Sequence, residues 1–136
     1  MITKLSHATI FVSDQDKAYD FYVNTLGFEV RNDAKMDNGF RWLAVGPKTA
    51  KDLNLVLFAP VPGMMDDDVI KALKMLLDKG ALGGGVFEAD DCQKTYEELS
   101  AKGVKFTKKP TKEFYGIEAL FTDGCGNWFS LTQRTE

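Results

Sequence analysis

The sequence predicts an α+β fold of two similar modules, each running strand, helix, strand, strand, strand. Three observations carry this. Leu5, Asp14, Lys17, Tyr19, Gly39 and Leu43 recur 77 residues later as Leu82, Asp91, Lys94, Tyr96, Gly116 and Leu120, and such self-similarity points to two like units packed together. Apolar residues alternate with period two at the start of each copy, as a half-buried strand requires. In both copies an aspartate, an apolar helical run and a glycine stop then follow.

The first strand spans residues 5–12, where Ala8, Ile10 and Val12 alternate with His7, Thr9 and Phe11. A helix begins at Asp14, passes through Ala18, Phe21, Tyr22 and Leu26, and closes at Gly27, with the polar start and glycine end of a short helix. Residues 28–34 and 40–45 read as strands around the turn Asp37-Asn38-Gly39, a hairpin signal, and 53–58 as a further strand. Val69, Ile70, Leu73, Leu76 and Leu77 recur at steps of three and four, predicting an amphipathic linking helix within 64–79. Asp66, Asp67 and Asp68 suit its positive N-terminal end. They read as a helix start, because consecutive helical residues do not converge on one point.

In the second copy Gly85, Phe87 and Ala89 alternate with Gly84, Val86 and Glu88, and a helix runs from Asp91 through Tyr96 and Leu99 to Gly103. Strands follow at 104–107, 117–122 and 128–132. The chain thus divides into module one (1–60), a linking helix (61–80) and module two (81–136).

Composition narrows the function. With 136 residues, 44% of them hydrophobic, the chain is one domain able to bury a shared core. Its net charge is −3 and its basic residues are dispersed, which argues against nucleic acid. No apolar run reaches the length of a membrane span and no leader is evident, so a cytoplasmic protein is expected. Cys92 and Cys125 lack metal-ligand spacing and are expected to be reduced, incidental thiols. Cys125 lies in the turn Asp123-Gly124-Cys125-Gly126-Asn127, where exposure and oxidation are open to it.

Alternation also predicts a functional face. If the apolar side of each first strand receives the helix, the other side carries His7, Thr9 and Phe11 in one copy and Gly84, Val86 and Glu88 in the other. On the last strands Asn54, Val56 and Phe58 oppose Leu53, Leu55 and Leu57, while Trp128, Ser130 and Thr132 oppose Phe129 and Leu131. Gly83-Gly84-Gly85 is not a phosphate cradle, since it precedes a strand and not a helix N-terminus; glycine there marks a bulge or a close approach. Arg41 and Glu118, 77 apart and opposite in charge, are placed either to pair across the modules or to orient a polar ligand.

Three motifs, in this order and spacing, carry a resemblance: His7-x-x-Ile10-x-Val12-x-Asp14, then Ala18-x-x-Phe21-Tyr22-x-x-x-Leu26-Gly27-Phe28, then Asp123-x-x-Gly126-Asn127-x-x-Ser130-Leu131. With the repeat they cover nearly the whole chain, which resembles the vicinal oxygen chelate superfamily of glyoxalase I, extradiol dioxygenases and bleomycin-resistance proteins. The resemblance implies that two βαβββ modules form an open, barrel-like mixed sheet around a central cavity, often in a homodimer. It also implies four metal-ligand positions, which fall here on His7, Asn54, Gly84 and Ser130, or on Val56 if the first module slides by two.

Only His7 is a conventional ligand, and one imidazole with weak oxygens does not make a tight divalent site. No metal or other cofactor is therefore expected, and His7 reads as a hydrogen-bonded wall residue. Three function classes stay open. The first is binding of a small organic molecule, with Thr9, Phe11, Asn54, Val56, Phe58, Gly84, Val86, Trp128, Ser130 and Thr132 lining an apolar site. The second is a lyase, isomerase or dioxygenase-like enzyme using His7 and Glu88, the latter in a half-site for a metal or as a base raised in pKa by burial. The third is a structural domain with a filled cavity.

Overall fold

The caps and alternating runs fall close to their predicted places, except that the strand expected at 104–107 runs instead from Phe106 to Glu113. In the computed structural model, which describes residues 1–135, β1 (His7–Phe11) leads through Asp14 into α1 (Gln15–Tyr19). The Asp14 carboxylate accepts the amide hydrogens of Asp16 and Lys17 at 2.9 and 3.1 Å, satisfying donors that a helix start leaves open. The helix then widens into a π-helical stretch, Asp20–Thr25, a departure from the single regular helix expected. Leu26 N bonds Phe21 O at 2.9 Å across the wider turn. Sequence neighbours Phe21 and Tyr22 both reach the core as a result.

β2 (Glu29–Lys35), β3 (Arg41–Gly46) and β4 (Asn54–Phe58) complete module one. α2 (Asp67–Asp78) links to β5 (Leu82–Glu88), α3 (Cys92–Ala101), β6 (Phe106–Glu113), β7 (Gly116–Thr122) and β8 (Asn127–Arg134). The sheets have matching orders, β1-β4-β3-β2 and β5-β8-β7-β6, each with one parallel pair and two antiparallel pairs. They are two open mixed sheets, not closed into a barrel, in agreement with the α+β class and open architecture expected.

One core serves both. Ile10, Val12, Leu43, Val45, Leu55 and Leu57 from the first sheet join Phe121, Phe129 and Leu131 from the second. Aromatic contacts cross the junction: Phe21 to Phe121 at 6.3 Å, Tyr22 to Phe129 at 6.2 Å and Phe28 to Phe87 at 5.5 Å between ring centres. The helix-facing sides of both sheets thus supply the interior, and their opposite sides are left for function. β1 and β2 are the outer strands of the first sheet, β5 and β6 those of the second. Among the described residues no helix is long and apolar enough to cross a membrane.

Candidate functional site

The register of the parallel pairs sorts the wall residues into layers. In module one His7 stands beside Asn54, Thr9 beside Val56 and Phe11 beside Phe58. In module two Gly83 stands beside Trp128, Val86 beside Ser130 and Glu88 beside Thr132. Paired residues share a face, because side chains alternate along a strand.

Gly84 is not among them, which corrects the placement read from the 77-residue spacing. The ladder is irregular between Gly83 and Gly85, and a β-bulge inserts one residue and re-aims those before it. A Cβ on Gly84 would run into the Phe129 ring on the core side, whereas one on Gly83 would stand 2.9 Å from the Trp128 indole. Gly85 supplies the positive φ of the bulge, +140°. Gly83, not Gly84, is therefore the counterpart of His7, and Val56 is the counterpart of Ser130. The equivalent positions are thus His7 and Asn54 in one sheet with Gly83 and Trp128 in the other, then Thr9 and Val56 with Val86 and Ser130. Neither is a donor set for a tightly held divalent ion, since only one imidazole stands among amides, hydroxyls and apolar groups.

The module-one wall is aromatic and hydrogen-bonded. His7 Nδ1 lies 2.9 Å from Ser6 Oγ, and the His7 ring centre lies 6.1 Å from that of Trp42. Asn54 Nδ2 donates to Ser6 O at 3.0 Å. Phe58 contacts Phe11 and Phe40, with centres 5.4 and 4.7 Å apart. Trp42 escaped the sequence reading, although alternation against buried Leu43 and Val45 places it on this face. Both tryptophans of the chain therefore stand on the walls.

The module-two wall lines an open cleft of about 1610 Å³ that contains Val86, Glu88, Ser130 and Thr132, together with Tyr115 and Glu118. Its centre is a polar network that sequence reasoning missed. Glu118 Oε2 accepts from Ser130 Oγ at 2.6 Å, and Oε1 accepts from Tyr115 OH at 2.7 Å and from Lys108 Nζ at 2.9 Å. Ser130 Oγ and Thr132 Oγ1 lie 2.7 Å apart. Since an ionised carboxylate only accepts, Ser130 donates to Glu118 and receives from Thr132. These bonds, Ser130's foremost, pull the Glu118 carboxyl down to about 2. Ser130 and Thr132 are buried beneath Glu118, so they orient it and do not face the cleft alone.

Glu88 does not fit the enzyme alternative, which required a buried base. Its side chain is 66% exposed, with Arg134 Nη1 3.4 Å away, so the burial required for that role is missing. The cleft that Glu88 lines contains no residue of the module-one wall, His7 included. Arg41 and Glu118 do not pair either. Arg41 binds Asp33 and Asp16 at 2.8 Å and lies over Tyr19, on the helix side of its sheet. Both cysteines are buried, against the exposure considered for Cys125, whose thiol is pushed up to about 12 by burial and then by Asp123.

One lip of the cleft is the β3–β4 loop, through Pro47, Thr49, Ala50 and Leu53. Arg31 on β2 holds it. Its guanidinium donates to Lys51 O and Pro47 O at 2.8 Å and to Ala50 O at 3.3 Å, while Nε lies 3.2 Å from Glu29 Oε1 without hydrogen-bond alignment. A lysine has no planar fork to span three carbonyls. Arg31→Lys is expected to lower stability by about 2 kcal/mol and to raise hydrogen exchange selectively in residues 47–53. Denaturant titration and exchange mass spectrometry check this; unchanged loop protection would contradict it.

A sequence model of the Glyoxalase/Bleomycin resistance protein/Dioxygenase superfamily matches residues 4–131. The crystal structure of UcmS2 is 44% identical, with a TM-score of 0.90, covering 97% of this chain and 98% of that one. TnmS3, an antibiotic binding protein from Streptomyces sp. CB03234, is 34% identical with a TM-score of 0.77, covering 98% of each chain. The uncharacterised protein YurT of Bacillus subtilis (strain 168) is 34% identical over 96% of this chain and 99% of its own length.

Proposed function

Because the chain belongs to the Glyoxalase/Bleomycin resistance protein/Dioxygenase superfamily, we propose that it is a cytoplasmic protein that binds a small organic molecule and sequesters it unchanged, without a family-type metal. The observation that carries this is the apolar, aromatic surface left open on the walls. Trp128 is 43% exposed and Val86 66% exposed, with the indole over Gly83 where no side chain stands. Exposed apolar patches of this kind mark binding surfaces, and a half-exposed indole is a common anchor for a flat ligand. The likeness to TnmS3, an antibiotic binding protein, supports the same reading.

The binding unit in this proposal is a homodimer. Each wall alone is half a site, and the outer strands β1 and β5 each keep one unpaired side, a ready template for a second chain. Placing β1 of one copy beside β5 of another sets the His7, Trp42 and Phe58 wall opposite the Val86, Trp128 and Ser130 wall.

Titration of intrinsic tryptophan emission with a panel of aromatic antibiotics tests the reading. At least one compound is expected to bind, to weaken about 30-fold on Trp128→Ala, and to emerge from the denatured complex with its mass unaltered. A converted product, or one equivalent of divalent metal retained by the native protein and lost in His7→Ala, would overturn it.

A further inference from the structure

We propose that Glu118 is the recognition group of the cleft and selects an aromatic ligand that carries a protonated amine. The inference rests on the binding function proposed above. Its first ground is orientation: Ser130, Tyr115 and Lys108 all donate to the one carboxylate, and Thr132 stands behind Ser130. Three donors occupy three of the roughly four acceptor positions of a carboxylate. One position, on Oε2, is left for a ligand.

The second ground is charge. Lys108 is shared between Glu118 and Glu113, at 2.9 and 3.1 Å, so one ammonium faces two carboxylates. Glu88 is matched by Arg134, while Asp90 lines the cleft beside them. On the lip two cations, Arg31 and Lys51, share one carboxylate, Glu29, so the cleft and its lip together set five carboxylates against four cations. The cleft thus keeps an excess of negative charge, which favours a cation and opposes an anion.

The third ground is position. Glu118 and Thr132 are register partners, and Leu120 and Ser130 are the next pair on the same face. The carboxylate therefore lies on the wall that carries Val86 and Trp128. An aromatic body against those residues and a cationic arm reaching Glu118 together describe the ligand class.

Three probes with the same ring separate charge from shape: 1-naphthylmethylamine, 1-naphthylmethanol and 1-naphthoate, each measured by equilibrium dialysis against the native protein at 50 mM salt. The amine is expected to bind most tightly and the carboxylate least, with at least about a tenfold span. Glu118→Gln should compress that span to within about twofold, and Asp68→Asn, which removes a carboxylate from the start of α2 outside the cleft, should preserve it. Equal binding of amine and carboxylate, or a preference that survives Glu118→Gln, overturns the assignment of Glu118 alone. If none of the three is retained, the inference falls together with the binding reading. Near-ultraviolet circular dichroism of each variant separates a lost preference from a lost fold.

Discussion

Asp123→Ala is expected to lower folding stability by about 4 kcal/mol, since it strands several buried donors at once. Asp123 is 2% exposed. It accepts the Tyr22 hydroxyl at 2.6 Å, the amides of Cys125 and Asn127 at 2.7 and 3.0 Å, and the Asn127 side-chain amide at 2.9 Å. Each orphaned donor costs about 1–3 kcal/mol, and partial relaxation keeps the total below the sum.

The same carboxylate joins the two modules. Asn127 Nδ2 also donates to Phe11 O at 2.7 Å, Ser13 N bonds Cys125 O at 3.1 Å, and Tyr22 arrives from the π-helical stretch. Burial, then Asp123's own charge and hydrogen bond, drives the Tyr22 hydroxyl far above its usual range, so it remains a donor at every pH the fold meets. Urea denaturation should show a lower midpoint for Asp123→Ala. Tyr22→Phe, which removes one bond and leaves three donors on the carboxylate, should lose about 1–2 kcal/mol. A loss below 1 kcal/mol in Asp123→Ala would show that water replaces the carboxylate.

Much of this was legible in advance. Asp14 and Asp91 announced two helices and cap them as expected, because capping and periodicity are local and survive in one dimension. The turn Asp123–Asn127 was also visible. Its role as a tie between modules was not, because that depends on Tyr22, 101 residues away.

The faces were harder, because a strand's side chains reverse with a slip of one residue. The 77-residue spacing matches Gly39 with Gly116, yet Gly39 lies in the β2–β3 turn while Gly116 opens β7. That offset puts Arg41 on the helix side and Glu118 on the wall, although the spacing pairs them. In sequence Glu118 offered two roles, pairing with Arg41 or orienting a polar ligand, and nothing local chose between them. Its value comes from Tyr115, Lys108 and Ser130, which only the β6, β7 and β8 ladders bring together.

The glycine run gives the sharpest test of that lesson. By spacing alone, Gly84→His would restore the partner that His7 lacks and assemble a metal site. The bulge predicts otherwise: the new side chain would be driven into the Phe129 ring, itself 1% exposed and stacked on Phe87 and Phe121 with centres 4.8 and 5.5 Å away. Overpacking together with a buried imidazole is expected to remove about 4 kcal/mol or more, with no gain in zinc affinity. Gly83→His reaches the wall and meets only the half-exposed Trp128 indole, which can move aside; its expected loss is about 1 kcal/mol. Thermal melts and zinc titration of the two variants distinguish the readings directly. A stable, zinc-binding Gly84→His protein would restore the register implied by the 77-residue repeat, whereas a folded Gly83→His beside an unfolded Gly84→His places the bulge, and with it the wall, where the ladder between β5 and β8 puts it.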